Sequence, residues 1–274
     1  MCVDPTLSAG SVAHGMYRPA EPWHLPVGHI YSRALTPLVC AHHLPQHRGC
    51  RMFRHVRSDR TLSPLVEITP ALRDPCVPAP VASVLQQLRT ATAVQHTALE
   101  ARLPLTHPQL DLDTYKRIIA AYYGFHLPLQ QSIERFLAPQ AVDPARQKIP
   151  ALIKDLHALG LDDLQIEALP LCTELPAIDS VAQLLGVMYV MEGATLGGQV
   201  LRRIIADRLG VDADSGGEFL DVYGRNTGHL WKAFLKQLAE FDTPLYNTEV
   251  VQSARLTFES FQTWLERAGV LNNA

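Results

Sequence analysis

Apolar residues recur at helical spacing through residues 181–209, whose sequence is VAQLLGVMYVMEGATLGGQVLRRIIADRL. This periodicity predicts one long helix, or two helices in series. Four glycines lie inside the predicted helix, namely Gly186, Gly193, Gly197 and Gly198. Each interior glycine costs roughly 1 kcal/mol of helix stability relative to alanine, so we expect the set to have a compensating role.

Gly186, Gly193 and Gly197 are spaced by seven and four residues, which places them on one helix face with Tyr189 at its edge. A face without side chains lets the backbone lie directly against a flat ligand. The same spacing suits close packing of two helices, and the sequence leaves this alternative open. A membrane span is disfavoured, because the uninterrupted apolar run is shorter than the ~20 residues required and ends at Glu192.

Helical periodicity also marks other parts of the chain, and no segment shows the alternation expected of a strand. We predict further helices at 81–102, 112–137, 144–159, 224–241 and 247–268, with a kink at Pro128. Residues 161–178 form a proline-punctuated connection, and residues 210–217 form a loop rich in Gly and Asp. The pattern predicts one all-α domain, a helical bundle spanning residues 81–274.

Residues 1–80 differ in composition from the rest of the chain. They contain 11 of the 20 prolines, 7 of the 12 histidines, and 8 Arg but no Lys. They show no sustained periodicity, so we predict a disordered extension, and Met52 is an alternative start that would make part of it an artefact. The spacing of Cys40, His42, His43, His47 and Cys50 matches no standard zinc site.

The overall charge and the cysteines argue against a nucleic-acid-binding protein and against a protein built on disulfide bonds. A net charge of −3 gives no reason to expect a nucleic-acid partner. The five cysteines are odd in number and widely scattered, so we expect no disulfide framework and a reducing, cytoplasmic location.

Candidate chemistry begins with His96, which has Glu100 one helical turn later on the same face. In such a pair the carboxylate orients a ligating imidazole through its second nitrogen. Arg89 lies two turns before His96, and Lys232 and Lys236 form a cationic pair on a later helix. One imidazole, a glycine face and several cations suit a flat, dianionic ligand that carries a metal, namely haem. His126 is the rival ligand.

Three stretches resemble the motif regions of bacterial haem oxygenases, in particular the biliverdin-forming branch that supplies bacteriophytochromes or recovers iron. These stretches are LRTATAVQHTALEARL at 88–103, YVMEGATLGGQVL at 189–201 and GRNTGHLWKAFLKQL at 224–238. The second stretch is the most specific of them. The resemblance extends over about residues 82–268, nearly all of the predicted helical domain.

The resemblance implies a fold in which a proximal and a distal helix enclose haem, together with roles for individual residues. His96 matches the axial iron ligand and Glu100 its orienting carboxylate. The matches to the distal glycines are Gly193, Gly197 and Gly198. The groups that match those anchoring the haem propionates are Arg89, Tyr189, Lys232 and Lys236. Many relatives have Asp after the first distal glycine, where this chain has Ala194. We therefore expect ordered water held by glycine carbonyls, with help from Glu192 or Gln199.

The implied activity is the cleavage of haem by dioxygen to biliverdin, with biliverdin IXα as the expected isomer, carbon monoxide and ferrous iron. The sequence has no nucleotide-binding fingerprint, so electrons are expected from an external ferredoxin or flavin reductase. A bacteriophytochrome is a further candidate partner. Two alternatives stay open, a haem carrier without turnover and a metal-free helical enzyme of the same fold class.

Overall fold

The computed structural model describes residues 82–137 and 143–272. These residues form α-helices joined by loops and short 3₁₀ turns, with no strand among them, so the predicted all-α class is confirmed. The helices are α1 (Val84–Arg102), α2 (Leu112–Leu137), α3 (Ile149–Ala158), α4 (Asp163–Glu167), α5 (Val181–Leu209), α6 (Thr227–Glu240) and α7 (Pro244–Arg267). The 3₁₀ turns are Pro104–Thr106, Pro144–Arg146, Phe219–Asp221 and Gly224–Asn226.

The longest helix is α5, which runs unbroken for 29 residues. The Ser180 hydroxyl accepts a hydrogen bond from the backbone N–H of Gln183 and caps its first turn. Gly210, with φ of +68°, ends the helix in the left-handed region that glycine adopts without strain. The pattern therefore predicted one helix here correctly, and the alternative of two helices in series is wrong.

Helix α5 packs chiefly on α7, and the two helices approach each other closely at Gly186. A Cβ at Gly186 would lie 2.6 Å from the Cβ of Ser253 and would also overlap the carbonyl oxygen of Val250. Gly186 is therefore required by helix packing. Its predicted place on a ligand-facing strip is wrong, and the packing alternative holds for this glycine.

Helix α1 packs on α7 and also contacts α6. Its buried face includes Val84, Leu88 and Leu99. Both carboxylate oxygens of Asp242 accept from the backbone N–H of Val84, at 3.1 and 3.2 Å, and so fix the start of the helix. Helices α1 and α5 are thus held by the same two neighbours, α6 and α7.

The helix boundaries differ from the sequence prediction in several places. The predicted helix 144–159 divides into a 3₁₀ turn and α3, and Gly160, with φ of +87°, follows it as expected. The connection 161–178 contains the short helix α4, which Asp162 and Gln165 begin with a capping box. Helix α6 begins at Thr227 rather than at 224, and α7 begins at Pro244 rather than at 247.

Several predictions fall on residues outside the described ranges. The extension 1–80 and the cysteine and histidine residues at 40–50 are among them. Cys172, in the described part of the chain, is a free and buried thiol. Within the same part, α5 alone is long and apolar enough to cross a membrane, a criterion that core helices of other proteins also meet. Its packing on α7 favours a core helix.

Candidate functional site

His96 lies on the outer side of α1 with its side chain 55% exposed. Its Nδ1 is 3.3 Å from Oε2 of Glu100, and its ring meets the edge of Phe258 in α7 at a centroid distance of 5.9 Å. With Nδ1 turned to the carboxylate, Nε2 carries the lone pair that a metal requires. The geometry therefore gives His96 the arrangement expected of an axial ligand.

His126, the rival ligand, is buried in α2. Its ring packs against surrounding aromatic rings, those of Tyr122, Phe125, Phe219 and Phe261. Burial, together with the charge of Lys148, lowers the pKa of His126 to about 3, so the ring is neutral at physiological pH. A ring enclosed in this way offers no space for a porphyrin, which excludes His126 as the haem ligand.

The three candidate distal glycines have different surroundings. A Cβ at Gly197 would meet no atom within 4 Å, and a Cβ at Gly193 would meet only the ring of Trp231, at 3.8 Å. At Gly198 a Cβ would overlap the carbonyl oxygen of Leu220. Close packing therefore explains why residue 198 is glycine, contrary to our expectation that Gly198 faces the ligand. Close packing does not explain Gly193 or Gly197.

Apolar side chains beside Gly197 are exposed on α5. Leu196 is 40% exposed and Val200 is 62% exposed. Tyr189, two turns before Gly197, is partly buried and lies against Trp231 of α6 at a ring-centroid distance of 6.0 Å. Gly197 therefore offers bare backbone flanked by exposed apolar side chains, a surface suited to a flat ligand.

Three cations predicted to anchor the ligand lie on the neighbouring helices α1 and α6. Arg89, Lys232 and Lys236 are all exposed. Among the described residues none of the three has an ion-pair or hydrogen-bond partner. Unpaired cations on adjacent helices are suited to bind the carboxylates of a dianionic ligand.

The suggested distal roles of Glu192 and Gln199 are wrong. Glu192 is 1% exposed, and its carboxylate is bound by Arg146 and Lys148. Gln199 donates to the carbonyl of Gly224 at 3.0 Å and to Asp221 at 3.3 Å. Both side chains are thus engaged in protein contacts, because a buried carboxylate requires paired cations and a partly buried amide requires acceptors.

The sequence pattern did not reveal the partners of Glu192, which are Arg146, Lys148 and Tyr223. It also missed Trp231, the neighbour of both Tyr189 and Gly193. A glutamate within an otherwise apolar helical run signals a buried ion pair, since an unpaired buried carboxylate is costly. That signal predicts a partner for Glu192 but does not identify which cation supplies it.

The donor set fits haem better than a bare metal ion. No group of three or more His, Cys, Asp or Glu side chains in the described ranges is arranged to hold a metal. A haem site of the kind that the resemblance implies has one axial imidazole, an open face without side chains and cations for the propionates. His96, Gly197 and the unpaired cations meet these three requirements.

Comparison with known proteins agrees with this fit. A family model described as "Heme oxygenase" matches residues 82–267, more than half of the chain. The chain belongs to the haem oxygenase family. A curated haem oxygenase from Xanthomonas campestris pv. campestris (strain 8004) is 29% identical over 103 aligned residues, and the match covers 36% of this chain. The match spans 57% of that relative's length.

Solved haem oxygenases share the fold. The enzyme from Leptospira interrogans superposes with a TM-score of 0.54 at 19% identity, covering 68% of this chain and all of that one. Haem oxygenase-1 from Synechocystis sp. PCC6803, solved in complex with haem, gives 0.52 at 12% identity, covering 69% and 97% of the two chains. The NO- and CO-bound enzyme from Neisseria meningitidis gives 0.50 at 20% identity, covering 68% and 92%.

Proposed function

We propose that this member of the haem oxygenase family cleaves haem with dioxygen to biliverdin IXα, carbon monoxide and ferrous iron. The observation that carries the proposal is His96. Its ring is exposed, its Nδ1 faces Glu100, and its Nε2 is left for iron. Family membership, which rests on a match over residues 82–267, supports the same reaction.

Each residue of the site has a distinct role in this proposal. His96 binds the iron through Nε2, and Glu100 holds the ring in the tautomer that leaves Nε2 unprotonated. Arg89, Tyr189, Lys232 and Lys236 bind the propionates and orient the ring. Haem, when bound, supplies both the iron at which dioxygen is reduced and the carbon skeleton that is opened.

The α5 face determines how close the protein backbone comes to the ligand. Gly197 has no neighbour that a side chain would meet, so its backbone can lie directly on the porphyrin. Leu196 and Val200, both exposed, would be covered by the ligand and would exclude bulk water from that side. The α5 face thus limits the supply of protons to those delivered by water bound at backbone groups.

The proposal includes partners and a location. Electrons come from a separate ferredoxin or flavin reductase, because the chain has no nucleotide-binding fingerprint. A bacteriophytochrome is a proposed recipient of the product, and the cytoplasm is the proposed compartment. The site residues all fall within residues 81–274, so we propose that residues 1–80 contribute neither to the fold nor to the site. Removal of residues 1–80 should leave haem affinity unchanged.

A titration with haemin tests the proposal. The wild-type protein should give a Soret band of imidazole-ligated haem, and a reductant with oxygen should then convert it to a bilin that absorbs in the red. A chain that binds no haem would contradict the proposal. In that case the metal-free alternative, which membership in the haem oxygenase family disfavours, would return.

One observation favours a haem carrier as the second candidate. The exposed α5 positions near Gly197 are Ala194, Leu196 and Val200, none of which carries an acid. A site without a proton donor binds dioxygen and need not activate it. A carrier predicts a stable haem complex after addition of reductant and oxygen, which separates it from the enzyme in the same experiment.

A further inference from the structure

The middle of α5 carries a buried ionic cluster, the Glu192 cluster, made of Arg146, Lys148, Glu192 and Tyr223. Glu192 Oε2 accepts from Nη1 of Arg146, and Oε1 accepts from Lys148 Nζ at 2.8 Å and from the Tyr223 hydroxyl at 3.0 Å. Glu192 and Gly197 are five residues apart, or about 140° around the helix. The cluster therefore contacts α5 on a different face of the helix from the one that exposes Gly197.

The polar atoms of the cluster are matched in charge and in hydrogen bonding. Arg146 also lies 3.7 Å from Asp143, so two cations face two carboxylates. Burial, and next the Glu192 carboxylate, raises the pKa of the Tyr223 phenol far above its ordinary value. Tyr223 thus stays neutral, donates to Glu192, and accepts from Lys148 Nζ at 2.7 Å.

The cluster is connected to the surroundings of Gly193 in two ways. Glu192 precedes Gly193 in the chain, so the carboxylate contacts fix the backbone of α5 at that point. Arg146 Nη2 donates to the carbonyl of Leu230 at 3.0 Å, and the next residue, Trp231, is the side chain that faces Gly193. One guanidinium therefore holds α5 through Glu192 and holds α6 beside Trp231.

Stability alone does not account for the cluster. A buried ion pair commonly contributes no more to folding than apolar side chains of the same volume, because desolvation offsets the attraction. Apolar packing, however, permits small rotations and translations of a helix. Four matched polar groups allow one geometry, since any shift leaves a buried charge without its partner.

We propose that the Glu192 cluster is a positioning device that sets the rotation and height of the Gly193–Gly197 backbone relative to bound haem. Its members touch neither haem nor the reacting atoms. They act through the helix, and the distance between the glycine backbone and the iron-bound ligand depends on them. The inference rests on the proposed haem-cleaving function.

Three variants separate positioning from stability. Tyr223→Phe removes the hydroxyl that donates to Glu192 and accepts from Lys148, and it leaves every charge in place. Glu192→Gln/Lys148→Met removes one negative and one positive charge and so keeps the charge balance. Tyr115→Phe is the matched control, because it removes another buried phenol hydroxyl, which donates to the carbonyl of Gly216 at 2.9 Å and has no contact with the cluster.

The measurements are haem affinity, thermal unfolding, the rate of bilin formation and the C–O stretching frequency of the carbon monoxide complex of ferrous haem. The C–O frequency reports the surroundings of the iron-bound ligand and requires no turnover. We expect both cluster variants to keep the wild-type Kd for haem within about twofold while kcat falls about tenfold, as for a small misplacement of a site. Their C–O frequency should also shift. Tyr115→Phe should lower only the unfolding temperature.

The inference is overturned if both cluster variants retain the wild-type kcat and C–O frequency, whatever happens to their unfolding temperature. Should the double variant fail to fold, Tyr223→Phe decides by the same criteria. If the wild type binds haem without cleaving it, the proposed function fails, and the C–O frequency still decides the inference. If the wild type binds no haem, both are overturned.

Discussion

Gly198 of α5 lies against the backbone of Leu220, so closely that a Cβ on Gly198 would overlap the Leu220 carbonyl oxygen. A Cβ on the neighbouring Gly197 would meet no atom within 4 Å. Two adjacent glycines in one helix are therefore required for different reasons. Gly198 permits the loop that contains Leu220 to pack on α5, and Gly197 leaves room on the open face.

This difference gives a paired prediction. Gly198→Ala should lower the unfolding temperature substantially, because the new methyl group displaces the Leu220 segment. Gly197→Ala should leave the apoprotein as stable as the wild type or more stable by up to about 1 kcal/mol, the helix-propensity gain of alanine. The same variant should impair bilin formation, because the methyl group enters the space assigned to haem.

Thermal unfolding of the apoproteins and single-turnover bilin formation check this pair. Normal turnover by Gly197→Ala, together with a loss of stability, would show that Gly197 is a packing residue. That result would remove the α5 face from the proposed site.

His96→Ala should abolish the spectrum of imidazole-ligated haem and the formation of bilin. Added imidazole should partly restore the spectrum, since a free imidazole can occupy the space left by the side chain. His157→Ala is the matched control, because His157 is also an exposed helix histidine with a carboxylate partner, Asp163, at 3.1 Å. Retention of the axial imidazole in His96→Ala would show that another residue binds the iron.

The isomer of the product should depend on Arg89 and Tyr189. The four meso carbons of haem are chemically similar, so the protein selects one by fixing the ring within its plane. Each charge-assisted contact with a propionate contributes on the order of 1.5–3 kcal/mol where water is partly excluded. A difference of about 1.4 kcal/mol in binding free energy between two orientations of the haem ring already gives tenfold selectivity.

We expect the wild type to form mainly biliverdin IXα and the Arg89→Asn/Tyr189→Phe variant to form a mixture. Chromatography of the extracted bilins measures the ratio. A wild-type product that is mainly the β or δ isomer would contradict the assignment of these anchors. An unchanged ratio in the variant would show that Lys232, Lys236 or the apolar walls select the isomer instead.

The stability of the protein should depend on pH because of the buried carboxyl group of Asp155. It is fully buried, and its carboxylate accepts from the backbone N–H groups of Glu218 and Phe219 at 2.8 Å each. Burial raises the pKa of Asp155 to about 6, against the opposing effect of these hydrogen bonds. The folded chain therefore binds the proton more tightly than the unfolded chain, and the contribution of Asp155 to stability falls as pH rises from about 4 to about 6.

The Asp155→Asn variant lacks this titration. Its free energy of unfolding relative to the wild type should therefore increase between pH 4 and pH 7, by about 3 kcal/mol for a shift of this size. The comparison between variants removes the opposite effect of His126, whose lowered pKa reduces stability as pH falls below 6.5 in both proteins. Denaturant unfolding at several pH values measures the difference, and a difference that does not change with pH would contradict the prediction.

The sequence predicted the helices well because their apolar periodicity is local and strong. The span of α5 matched residue for residue, as did that of α2. The starts of α6 and α7 were less accurate, because the 3₁₀ turn Gly224–Asn226 and the cap at Thr243 depend on local hydrogen bonds rather than on periodicity. Helix ends are set by such contacts, which the apolar pattern does not contain.

The sequence predicted only part of the site, because some of its contacts join residues that are far apart in the chain. The His96–Glu100 pair spans one turn of a helix, so its spacing is visible in the sequence. Gly197 and Gly198 both match the distal glycines of the resemblance, and only the contact of Gly198 with the distant Leu220 shows that the two have different roles. The cations that bind Glu192 lie 44 and 46 residues earlier, and periodicity within one helix carries no information about pairing over such a distance.

The central claim is that this chain cleaves haem, and product stoichiometry in a single turnover tests it most directly. Purified wild-type protein loaded with one equivalent of haemin is mixed with a reductant in oxygenated buffer containing an iron chelator and a carbon monoxide trap. The account predicts loss of the Soret band with about one biliverdin, one carbon monoxide and one ferrous iron released per haem, and none of these from His96→Ala. A Soret band that persists in the wild type, with no carbon monoxide and no released iron, would contradict the claim and leave a haem-binding protein without turnover.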